Sequence, residues 1–147
     1  MEDFTNLSLA ERENIIIDEV SMYEDWMDKY QFLIELGNEL PPYPAEYKLP
    51  QYEISGCQSQ VWIYCEQRNG RIYFSGESDA LIVRGIVALL IKVLSGATIA
   101  EVAHTDFAFI DAIGLKEHLS PTRSNGLYSM MQHMKLCAIA FETKNCE

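Results

Sequence analysis

Two runs rich in β-branched and aromatic residues, QVWIYCEQ (60–67) and RIYFSG (71–76), are separated by Arg68-Asn69-Gly70. Asn-Gly is the dipeptide that most readily takes two successive positive φ angles, the requirement of the tight turn that matches strand twist. The chain is therefore committed to an antiparallel hairpin at its middle. Counting by twos from the turn, Val61, Ile63 and Cys65 share one face and Trp62 and Tyr64 the other. A brief third strand is expected around YEI (52–54).

The hairpin is flanked by helical patterns. Ser8 and Glu11 have the spacing of a capping box, which predicts a helix from about Leu9 to Val20. Asp25 suits the N-cap of WMDKYQFLIEL, whose Trp26, Tyr30, Leu33 and Ile34 recur at helical spacing, with Gly37 as the expected stop. LPPYPAEYKLP (40–50) holds four of the five prolines and reads as an extended surface connector. After the hairpin, Ser78 or Asp79 opens the apolar helix ALIVRGIVALLIKVL, which ends at Gly96. Thr98 and Glu101 form a second capping box, and Asp106 suits the cap of FAFIDAI, stopped at Gly114. The last helix is expected to follow SPTRSNG, with the stripe Leu127, Met130 or Met131, Met134, Cys137 or Ala138, and Phe141 facing inward. Helices, a small antiparallel sheet of two to three strands, then helices predict an α+β fold with helices on one face. At 147 residues with no repeat or low-complexity tract, one domain spanning 1–147 is expected.

Charge narrows the function. With 22 acidic against 11 basic residues the net charge is −11, the wrong sign for displacing counterions from nucleic acid or for an anionic membrane surface. The acidic start MEDFTNLSLAEREN lacks the pattern of a secretory leader, and the longest apolar run is too short for a bilayer. These features predict a cytoplasmic protein with reduced thiols.

Four cysteines carry the chemical interest. Cys137 falls on the core stripe of the last helix and Cys65 on the inner strand face, so both read as small hydrophobes. Cys146 stands one residue from the end. No CxxC pair or zinc-finger spacing is present. Cys57 differs: in EISGCQSQVW (53–62) it follows Gly56 among Ser55, Gln58, Ser59 and Gln60, in a loop that apolar packing does not explain. A reactive thiol and an inert loop cysteine are equally open on position alone. A hydrolase nucleophile would need a base from His104, His118 or His133, but nothing in the sequence marks a pairing, and His133 reads as part of a solvated face. No GxGxxG or P-loop is present.

WMDKYQFLIELGNELP, ISGCQSQVWI, GESDALIVRGIVALL and HLSPTRSNGL, in that order from Trp26 to the last helix, together resemble the SufE family of sulfur-acceptor proteins in iron–sulfur cluster assembly. That resemblance implies a SufE/NifU-like fold and makes Cys57 the residue that takes sulfane sulfur, as a persulfide, from a pyridoxal-phosphate cysteine desulfurase of the SufS-like kind. It implies delivery to an iron–sulfur scaffold complex, and stimulation of the desulfurase rather than an enzyme activity of the chain itself. Asp79 and Arg123 match family positions near the cysteine loop and the desulfurase contact, and Gly56 and Gln58 flank the thiol as loop-positioning or partner-binding residues. On this reading the chain binds no cofactor and no metal, since the pyridoxal phosphate belongs to the desulfurase. Bland roles stand beside the implied ones: Asp79 also suits a helix N-cap, and Arg123 could pair with a carboxylate. The alternatives are an iron–sulfur scaffold, which needs about three or more ligands on one cluster, and, behind it, a cysteine hydrolase.

Overall fold

The computed structural model describes residues 4, 6–57 and 59–145; Gln58 and Cys146 lie outside the described residues. Strands β1 (Val61–Arg68) and β2 (Arg71–Ser78) pair antiparallel, in register from Val61 opposite Ser78 to Arg68 opposite Arg71. Asn69 and Gly70 between them have φ of 54° and 79°, the paired positive angles that a two-residue turn of this hand demands. The third strand shrinks to one bridge between Glu53 and Trp62, with Ile54 N–H donating to the Val61 carbonyl.

Among the described residues, six α-helices pack around the hairpin. Helix α1 (Leu9–Ser21) begins at the Ser8–Glu11 capping box, and α4 (Ile99–Ala103) at the Thr98–Glu101 box. Glu101 does double duty, accepting also from Leu9 N–H at 2.8 Å, which ties the starts of α1 and α4 together. Asp25 caps α2 (Trp26–Asn38), accepting from Asp28 N–H. Helix α3 (Leu81–Leu94) runs through the middle of the core, with Val87, Leu89, Leu90, Val93 and Leu94 fully buried. Helix α5 (Ala108–Ile113) ends at Gly114, whose φ is 78°. Asp106 supports its start by accepting from Ala108 N–H, although Phe107, at a φ of 55°, is the residue in the cap position. The long helix α6 (Pro121–Asn145) closes the fold.

The inner sheet face, Val61, Ile63, Ile72 and Phe74, packs beneath α3 and α6. The outer face carries Trp62 and Tyr64 and is covered by the connector: Tyr47 stacks on Tyr64 at 3.8 Å between ring centroids, and Lys48 lies over Trp62. The connector is not wholly extended. It folds into two short 3₁₀ turns at Ala45–Tyr47 and Pro50–Tyr52, the second starting on Pro50.

Several sequence expectations change in the fold. Gly37 does not stop α2. It lies within the helix where α2 crosses α3, and a Cβ there would stand 3.0 Å from the Gly85 nitrogen. Gly85 is tighter still: its Cβ would meet the Leu33 carbonyl oxygen at 2.4 Å. The two glycines are the contact that lets these backbones approach. SPTRSNG is not a loop before α6 but its first turns. Pro121 takes the first helical position, where its missing N–H costs nothing, and Ser120 caps it by accepting from Arg123 N–H through Oγ. Neither Ser78 nor Asp79 is the N-cap of α3; Ala80 holds that position, and Ser78 Oγ accepts from Ala80 N–H. Arg12 on α1 is fully buried, its guanidinium donating to the Leu7, Val93 and Ser95 carbonyls and so clamping α1 to the end of α3.

Candidate functional site

Ser55 and Gly56 make the turn that presents Cys57, and Gly56 takes a φ of 87° that a side-chain-bearing residue rarely adopts. A Cβ at 56 would also stand 2.8 Å from Ser129 Oγ on α6. The thiol therefore sits close against α6. Cys57 Sγ–H donates to the Gly126 carbonyl at 3.8 Å, and Gly126 is buried inside the helix with no side chain between. Isoleucine or alanine at 126 would intrude, because even a Cβ would lie 3.2 Å from Sγ.

Beneath the half-buried sulfur is a cavity of about 70 Å³, walled by the buried side chains of Val83, Ile86 and Met130, with Thr122 and Arg123 at its edge. Partial burial pushes the Cys57 thiol up from its ordinary value, since desolvation penalises the thiolate. The sulfur is half-buried, and its thiolate form is disfavoured in this position.

Arg123 is exposed, forms no ion pair among the described residues, and is the one cationic side chain on the cavity wall. It reaches this place because SPTRSNG is helical: Arg123 and Gly126 are three apart and so face the same way. Asp79 is on the other side of the loop. Its carboxylate accepts from Gln60 N–H at 3.2 Å, and its own N–H donates to the Gln60 carbonyl. It fastens the far stem of the cysteine loop to the end of β2 and does not line the cavity.

The three histidines are engaged elsewhere. His104 pairs with Glu142 at 3.1 Å, and His118 stacks on Trp26 at 3.9 Å between ring centroids. His133 corrects the reading of a solvated face: it is half-buried, with Nε2 3.2 Å from the Ile63 carbonyl oxygen and 3.7 Å from Cys137 Sγ. Among the described residues no histidine lines the Cys57 cavity, and no group of three His, Cys, Asp or Glu side chains is placed to hold a metal ion. Cys65 and Cys137, read from sequence as small core hydrophobes, are half-buried free thiols packed against the core. The contact of His133 with the Ile63 carbonyl needed the packing of α6 on β1; only the His133–Cys137 step along one helix face was visible in sequence.

The site is thus one loop thiol held over a small cavity on an α+β scaffold, with no histidine lining that cavity among the described residues. Residues 14–138 match the SufE family, described as an Fe-S metabolism associated domain, and the chain belongs to that family. It is 42% identical over 125 residues to an uncharacterized SufE-like protein of Rhizobium etli, covering 82% of this chain and 84% of that one. It is also 42% identical over 109 residues to the sulfur acceptor protein CsdE of Escherichia coli, covering 73% of this chain and 74% of the relative. A solution structure of a hypothetical protein from Thermus thermophilus shares the fold, with a TM-score of 0.76 at 19% identity over 90% of this chain and 96% of that one. Among the described residues, no helix is long and apolar enough to cross a membrane.

Proposed function

We propose that this chain is a sulfur acceptor that takes sulfane sulfur onto Cys57 from a pyridoxal-phosphate cysteine desulfurase and passes it on for iron–sulfur cluster assembly. The observation that carries the reading is the placement of Cys57: a loop thiol folded back over a small cavity, apolar on the side of Val83, Ile86 and Met130 and polar on the side of Ser59, Thr122 and Arg123, that has room beside the sulfur. The similarity to a sulfur acceptor protein of Escherichia coli supports it.

The reaction is a thiol–disulfide exchange. The Cys57 thiolate attacks the outer sulfur of the donor persulfide, a new S–S bond forms on Cys57, and the donor cysteine leaves as a thiolate that takes up the proton Cys57 has lost. No net oxidation occurs. The buried thiol resists ionisation, so the loop swings Cys57 out of its cavity into the partner's cleft before it reacts. Gly56 supplies the freedom for that swing, while Asp79 keeps the distal stem anchored. On return, the terminal sulfur sits among Val83, Ile86 and Met130, away from water and stray thiols, with Arg123 at the rim as a counter-charge for a persulfide anion. The chain needs no cofactor of its own in this scheme, since the pyridoxal phosphate stays in the desulfurase.

Desulfurase turnover tests it. Added protein should raise the rate of sulfide or alanine release from cysteine, and Cys57→Ser should abolish the increase. Arg123→Ala should weaken the increase several-fold while leaving thermal stability unchanged, because Arg123 makes no ion pair among the described residues. A Cys57→Ser protein that stimulates as well as wild type would overturn the proposal.

A further inference from the structure

We infer that a second recess, built around Arg84, is a binding site for a free α-amino acid, which Arg84 holds by the carboxylate and Asp79 by the ammonium. The recess has a volume of about 440 Å³, inside the range of roughly 300–1,000 Å³ that small-ligand sites occupy. Asn38 at the end of α2, Pro42 of the connector, Trp62 and Ser78 of the hairpin, and Arg84 of α3 bound it. It shares no residue with the Cys57 cavity. Val83 and Ile86 serve that cavity, while Arg84, one step round the helix from Val83, serves this one.

Arg84 is what asks for a ligand. Its Nε is buried with no hydrogen-bond partner, and its guanidinium makes no ion pair among the described residues. A buried charged donor without an acceptor is costly to keep, and the chain itself supplies no acceptor here. A carboxylate is the acceptor that fits a guanidinium, because its two oxygens match two parallel N–H groups. Lys48, the other cation of the recess, is already engaged: its Nζ is 2.6 Å from Glu77 and lies over the Trp62 ring.

Asp79 sets the rest of the ligand. It is exposed at the mouth of the recess, where one carboxylate oxygen accepts from Gln60 N–H at 3.2 Å and the other accepts from no group among the described residues. Arg84 and Asp79 line one recess yet do not pair with each other. A phosphate dianion would meet Asp79 and Glu77 as like charges, and a plain monocarboxylate would leave Asp79 unanswered. A zwitterion satisfies both ends, with its carboxylate inward on Arg84 and its ammonium outward on Asp79. Trp62 and Pro42 give its side chain an apolar wall. Because the ammonium draws on the carboxylate that holds Gln60 N–H, occupancy is felt at the stem of the Cys57 loop.

The test is nitrogen–proton NMR on the labelled full chain, titrated separately with each of the standard L-amino acids. The Arg84 Nε–H signal, assigned by its loss in Arg84→Lys, reports the inner end, and the Gln60 amide reports the mouth. At least one amino acid should move both signals together and saturably. Its carboxamide, which lacks the carboxylate, should bind weaker by about tenfold or more. Its analogue without the amino group should move Arg84 and leave Gln60 in place. Arg84→Gln should lose the binding, and Asp79→Asn should weaken it several-fold in a protein whose remaining signals are unchanged. No saturable movement of Arg84 with any amino acid overturns the inference. Equal movement with sodium acetate overturns the zwitterion and leaves only an adventitious anion. The comparison of amino acid, carboxamide and amino-free analogue is made on the unsubstituted protein, so it decides the matter whether or not a variant folds.

Discussion

Gly126 lies directly beneath Cys57: its carbonyl accepts from the thiol, and a methyl on its α carbon would stand 3.2 Å from Sγ and 3.8 Å from Cys57 Cα. A glycine inside a 25-residue helix is costly for the helix and useful only to what packs on it. Helix propensity alone favours Gly126→Ala by up to about 1 kcal/mol. Crowding of the loop works against that gain. The expected outcome is a protein of near-wild-type stability whose Cys57 is pushed off its cavity and alkylated several-fold faster by a small neutral reagent. An unchanged alkylation rate would mean the shielding does not depend on this contact.

Gly85 makes a harsher prediction. Its added Cβ would meet Leu33 backbone at 2.4 Å, and backbone cannot rotate away as a side chain can. Gly85→Ala must separate α2 from α3 and should cost about 3 kcal/mol or more, visible as a lower midpoint in urea unfolding. A midpoint equal to wild type would show that the helices yield freely at this crossing.

Asp79 separates a charge effect from a hydrogen-bond effect. Asp79→Asn keeps an oxygen to accept from Gln60 N–H, whereas Asp79→Ala removes it. Hydrogen exchange at the Gln60 amide should stay near wild type in the first and quicken severalfold in the second. Equal quickening in both would assign the role to the charge.

Glu101 sets a pH dependence. Burial raises its carboxyl pKa, but hydrogen bonds from Leu9 N–H, Thr98 N–H and the Thr98 hydroxyl, with the Arg12 charge, outweigh it, and the net shift is downward from 4.5. A folded pKa below the unfolded one stabilises the protein above the unfolded value, and the benefit is lost as pH falls through the folded value. The melting temperature of wild type should therefore exceed that of Glu101→Gln at neutral pH, and the gap should narrow below about pH 4.5. A gap that stays constant down to acid pH would contradict a role for the charge.

Local chemistry in the sequence was enough to locate the hairpin and the capped helix starts, because Asn69-Gly70, Ser8–Glu11 and Thr98–Glu101 act within a few residues of themselves. Gly37 and the SPTRSNG segment were misread for a common reason. Glycine, asparagine and proline resemble breakers locally, yet here α3 presses on Gly37, Cys57 presses on Gly126, and Pro121 occupies the one helical position that suits it. Cys57 could be singled out because nothing apolar surrounds it in sequence, but its cavity is built from α3 and α6 and leaves no local trace. The same limit hid the contact of His133 with the Ile63 carbonyl, which only the docking of α6 on β1 creates.

The most direct measurement is intact mass spectrometry after incubation with a cysteine desulfurase and cysteine, comparing wild type with Cys57→Ser. Wild type should gain the mass of sulfur, lose it to reductant, and show the added atom on the Cys57 peptide; the variant should gain none. Equal sulfur on both proteins would contradict Cys57 as the acceptor.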